Sequence, residues 1–150
     1  HIDSYRAITR VDSYSIKLIK STELTTNNAE NNDDLKLFFI NLGGYQQGSF
    51  EEFHYKLLIV ATSQAEAIKQ AKQSDFYKAF TYKDKDSLFN AASHIDDKFE
   101  VDIDEIYNVN DLITNFKLLI EPIANNSRGL VNDDKDYVGY LSIKNLKKVF

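Results

Sequence analysis

The chain has 150 residues, of which 43% are apolar and 13% aromatic; that is enough for one domain with a core and excludes wholesale disorder. Its net charge of -5, from 18 basic against 23 acidic residues, and its excess of Lys over Arg argue against nucleic acid as a partner, because a phosphate-backbone binder needs a basic surplus. With no cysteine, disulfides, thiolate nucleophiles and Cys-ligated zinc or iron–sulfur centres are excluded. The longest unbroken apolar run, Leu57 to Ala61, is far short of the roughly 20 residues of a membrane-spanning helix. A soluble protein of a reducing, cytoplasmic compartment is the expectation, with no membrane partner.

From His1 to Lys20 two short runs flank Asp12-Ser13. Tyr14, Ile16 and Leu18 alternate with polar neighbours, the period of a half-buried strand, so a hairpin is predicted over residues 1–20. Ser21 to Asp34, rich in Thr, Asn, Asp and Glu, reads as a linker.

Leu35 to Ala61 predicts a central hairpin whose strands are apolar on both faces, as in a sheet covered on both sides or central in a dimer. Gly43-Gly44 supplies positive φ where its first strand is expected to end. Ser63-x-x-Glu66 is a capping-box pattern, with the Ser63 hydroxyl on the Glu66 amide and the Glu66 carboxylate reaching back to the Ser63 amide. Ala65, Ile68 and Ala71 or Lys72 then form a narrow stripe for a helix lying close on the sheet.

Between Asp75 and Ala92 a short second helix carries large aromatic anchors. An extended run starts at His94-Ile95-Asp96, with Phe99, Val101 and Ile103 on one side, and Tyr107 and Val109 begin a partner strand. Phe116 to Ile120 reads as a strand stopped by Pro122. Asn125 to Asp136 reads as a polar loop and Tyr137 to Phe150 as a mixed tail.

The pattern His1-Ile2-Asp3, Ile8, Asp12, Tyr14, Ile16 matches His94-Ile95-Asp96, Val101, Glu105, Tyr107, Val109 without a gap. Duplication accounts for it: residues 1–20 would be a partial first repeat, 21–34 a linker, 35–124 a complete repeat domain and 125–150 a loop and C-terminal tail. The set Leu37-Phe38, Leu42-Gly43-Gly44, Glu52-Phe53-His54, the Ser63-capped helix and His94-Ile95-Asp96 resembles a bacterial family known as domain of unknown function 1543, which occurs in one or two copies per chain. The resemblance covers most of residues 1–20 and 35–113. It implies a small α+β domain and brings no activity with it.

His54 stands two residues after Glu52, and His94 two residues before Asp96, so on strands each histidine shares a face with a carboxylate. Such a pair orients an imidazole as a general base or supplies metal ligands. It serves equally as a buried histidine tied to its acidic neighbour, and that structural role is preferred because no nucleophile stands in a recognisable setting. The acidic runs Asp96 to Glu105 and Asp133 to Asp136 lack the glycine and terminal glutamate of a calcium loop and read as solvated faces. No metal or cofactor is expected. The aromatic groups Tyr45 to Tyr55 and Phe76 to Tyr82 suit either core or an interface.

The expected fold is α+β: an antiparallel sheet of hairpins with one main helix packed on it, as an incomplete tandem repeat. The expected function is a non-enzymatic interaction or structural module acting by self-association or by binding a partner protein. The alternative is a small hydrolase or ligand-binding domain using His54, His94, Asp96 and Glu52.

Overall fold

The computed structural model describes residues 1–21, 34–46, 48–80, 105–123, 134–146 and 148. The fold is α+β and built around β4 (Lys36–Tyr45). This strand runs antiparallel to β5 (Glu52–Ala61) over its whole length, from Lys36 opposite Ala61 to Tyr45 opposite Glu52. On its other edge β6 (Glu105–Asn108) pairs with Phe38 to Asn41, so the sheet order is β5-β4-β6. Apolar residues on both faces of β4, Leu37 and Phe39 on one and Phe38, Ile40 and Leu42 on the other, need cover on both sides, and the chain supplies it.

On one face Phe38, Ile40, Leu42, Ile59 and Ala61 pack under α1 (Gln64–Ala71). Ile40 and Leu42 are fully buried; removing such side chains from water contributes about 1.5–3 kcal/mol each. The helix lies close because Ala67 and Ala71, one turn apart, are its buried residues. The stripe therefore runs through Ala67, Ile68 and Ala71, and Ala65, assigned to it from periodicity, is exposed. The cap also differs in one hand. Ser63 Oγ accepts from the Glu66 amide at 3.2 Å as the capping box requires, but the Glu66 carboxylate passes Ser63 and accepts from Thr62 N at 2.9 Å and Thr62 Oγ1 at 2.7 Å. The short α2 (Asp75–Ala79) follows, capped by Ser74.

The other face of β4 and β5, carrying Leu37 and Val60, meets a second sheet through Val11, Ile16 and Ile120. That sheet has the order β2-β3-β7, from β2 (Arg10–Val11), β3 (Tyr14–Lys20) and β7 (Phe116–Pro122). Asp12-Ser13 forms the turn between β2 and β3, with Asp12 at φ 51, a left-handed conformation that Asp tolerates better than most residues. Tyr14 to Lys20 pairs without interruption with Pro122 to Phe116. Pro122 is the last residue of its strand rather than a stop before it; β7 is an edge strand in this sheet, where a missing N–H is harmless. The first twenty residues thus shelter in their own chain.

Three further expectations change. Gly43 and Gly44 do not end the first strand: they are buried inside β4, opposite His54 and Phe53, and the positive φ of this hairpin belongs to Gly48 (φ 83). Val109 does not continue a strand, because Asn108 caps a turn of helix, α3 (Val109–Leu112), whose Asn110 side chain accepts from the Leu37 amide at 3.1 Å. In the repeat alignment Tyr14 and Tyr107 both fall on strands, whereas Ile16 lies on β3 and its counterpart Val109 on α3. The C-terminal segment is not an irregular tail. It contains β8 (Lys135–Leu141) and the turn α4 (Ile143–Leu146), and β8 pairs antiparallel with β1 (Ile2–Ala7). The strand includes Lys135 and Asp136, which the sequence assigns to a loop. The run from residue 94 to residue 104 and the linker residues 22–33 lie outside the described residues.

Candidate functional site

The β1–β8 ribbon is built by four sets of side chains. Tyr5 stacks on Tyr137, directly opposite in register, with ring centroids 4.3 Å apart, and His1 meets Tyr140 edge-on at 5.3 Å. Arg6 opposite Asp136 grips it with Nε and Nη2, the latter at 2.8 Å, the fork geometry that makes Arg the stronger carboxylate partner. Thr9 donates its amide to Asp134 at 2.6 Å and its hydroxyl to the same oxygen at 2.9 Å. Hydrogen bonding to Arg6 holds the Asp136 carboxyl below its ordinary range and raises Arg6 in turn. Burial against Tyr137 raises the Tyr5 hydroxyl.

A bulge separates the pairs Ile2–Leu141 and Ser4–Val138, and Gly139 sits in it at φ 124, a conformation open to glycine. Neither core cluster contains a residue of β1 or β8. On and beside the ribbon Val138 is 91% exposed, Tyr140 86% and Ile143 61%. A two-stranded ribbon alone is marginal in water, and apolar side chains held in the open mark contact surfaces. The sequence reads as a mixed tail here, although Tyr137, Val138, Tyr140 and Leu141 carry the β-branched and aromatic signal of a strand; Gly139 interrupts its alternation.

Of the residues singled out from sequence, Glu52 and His54 do share one face of β5, opposite Tyr45 and Gly43. Both are exposed, so His54 is not the buried histidine of the structural reading. His94 and Asp96 lie outside the described residues. Among the described residues no three His, Asp or Glu side chains gather to share a cation. Asp134 and Asp136, part of the second acidic run, serve the ribbon, and Glu105 accepts from the Tyr107 hydroxyl, whose proton is held more tightly as a result.

The aromatic groups pack on each other across β5 and α2. Tyr55 stacks on Phe76 at 5.4 Å, Phe76 on Phe80 at 4.4 Å, and Phe80 meets Phe53 at 5.2 Å. They flank the α1 core as a satellite, while Phe50 stands fully exposed in the β4–β5 loop. No helix among the described residues is long and apolar enough to cross a membrane. Comparison with family models, with curated proteins and with solved structures finds no match to this chain.

Proposed function

We propose that this protein is a non-enzymatic association module whose contact surface is the β1–β8 ribbon and whose partner is a second copy of the same chain. The observation that carries this is the exposure of Val138 and Tyr140 on a ribbon outside both cores. An edge strand presents unpaired amides and carbonyls to another strand, and β8 has a partner on one side only among the described residues. Pairing β8 antiparallel with its copy about Val138 sets Lys135 opposite Leu141, Asp136 opposite Tyr140 and Tyr137 opposite Gly139. No like charges meet, as a two-fold interface requires. Dissociation in the range of about micromolar to tens of micromolar is the expectation for a small two-ribbon contact. The resemblance to the uncharacterised bacterial family fits an interaction role without specifying it, and the lack of cysteine suits a cytoplasmic setting.

Sedimentation velocity from about 1 to about 200 μM tests the proposal. The expected result is a concentration-dependent dimer, abolished by the pair Val138→Lys and Tyr140→Lys with the circular dichroism unchanged. A monomer throughout that range overturns it. One observation favours the second reading, a hydrolase or ligand-binding domain: His54 and Glu52 stand exposed on one face. A His54→Ala variant that associates normally but loses binding or turnover of a ligand would favour that reading.

A further inference from the structure

The chain has three arginines, and two of them, Arg6 and Arg10, stand four residues apart at the passage from β1 to β2. Both line a cleft of about 550 Å³ between this passage and the β4–β5 sheet, within the range of small-ligand sites. Its floor is apolar, from Ile8, Phe39 and Leu58, and Lys56 stands on the same β5 face as Leu58.

The charges on this wall are not equivalent. Arg6 is taken up by Asp136. Asp134 accepts two bonds from Thr9. Arg10 gives its Nε to the backbone carbonyl of Asp12, at 3.1 Å, and its terminal nitrogens take no partner among the described residues. Lys56 makes no ion pair among the described residues. Arg10 and the exposed Lys56 thus present two cations beside an apolar floor.

We infer that this cleft binds a small amphipathic carboxylate, its apolar body on Phe39, Leu58 and Ile8 and its carboxylate between Arg10 and Lys56. A monoanion suits the site better than a phosphate dianion, because the carboxylates of Asp12 and Asp134 also line the cleft and repel a second negative charge. The cleft shares Arg6 and Asp134 with the ribbon's packing but neither Val138 nor Tyr140 of its contact surface, so ligand binding and self-association are tested by different variants.

Calorimetric titration of the full chain with 4-phenylbutyrate tests it, with the neutral 4-phenylbutanamide and inorganic phosphate as controls. The expected result is saturable binding of the acid below about 1 mM, with the amide and phosphate each at least ~10-fold weaker. Lys56→Gln and Arg10→Gln each weaken the acid about 10-fold, while Lys69→Gln, on the exposed side of α1, leaves it unchanged. Equal affinity for acid and amide, no saturation by about 10 mM, or indifference to both cleft variants in a chain of unchanged circular dichroism overturns it.

Discussion

Glu66 and Asp136 each take a partner that spacing alone does not name. The capping-box rule correctly pairs Ser63 with the Glu66 amide, but the carboxylate takes the amide and the hydroxyl of Thr62 in place of the single Ser63 amide that the rule assigns it. Asp136 meets Arg6 across 130 residues of sequence, beyond the reach of any local pattern. Both carboxyls are held below their ordinary values, Glu66 first by the Thr62 hydroxyl and then by its amide, Asp136 by Arg6. A depressed folded value means the unfolded chain binds the proton more readily, so the stabilisation is complete above the unfolded carboxylate range near pH ~4 and is lost as pH falls through the folded values. Urea midpoints measured from pH ~5 to pH ~2.5 should therefore fall, and fall less steeply in the double variant Glu66→Gln, Asp136→Asn. Salt near 0.15 M should weaken the Asp136 share, since that pair is open to solvent. Equal slopes for variant and parent would show that neither interaction persists in solution.

At the scale of elements, legibility follows burial. The β4–β5 hairpin was readable because the runs Leu37 to Ile40 and Leu57 to Ala61 are apolar throughout, and two-sided cover is the one environment that rewards them. The register of α1 was readable only to within a residue or two, since Ala65, Ala67 and Ala71 differ in position and not in chemistry. The glycines misled for a related reason. Gly43 and Gly44 look like a bend, yet they sit in the buried strand, and the bend falls to Gly48. Substitutions should separate the two kinds of position. Ile40→Ala, at a fully buried site, should cost about 2–5 kcal/mol in chemical denaturation, whereas Leu18→Ala, at a residue 56% exposed, should cost about 0.5 kcal/mol or less. Gly139→Ala meets nothing within 4 Å, so its cost, about 1–3 kcal/mol, is the backbone strain of φ 124. That loss should appear as faster amide exchange in β1 and β8 and not in β4.

For the whole molecule, the chain closes on itself through strands far apart in sequence, β3 with β7 and β1 with β8. Such pairings leave no trace in local periodicity, so the sequence yields the hairpins and not their neighbours. The candidate site shares that fate: the face common to Glu52 and His54 was legible from period two, while the ribbon surface depends on a strand that Gly139 disguises. The two cores, one on each face of β4, contain no residue of the ribbon strands. Removing residues 135–150 should then leave β3–β7 and β4–β5 protected from hydrogen exchange, because every residue of both cores remains. Amides of Ile2 to Ala7 should lose protection, since β8 is the strand that pairs them. The shortened chain should also sediment as a monomer at every concentration, because the surface assigned to self-association has gone. Global loss of protection in the shortened chain would mean that the ribbon is a structural part of the domain. Its exposed Val138 and Tyr140 would then be outlying elements of one cooperative fold, and a contact surface would have to be sought elsewhere.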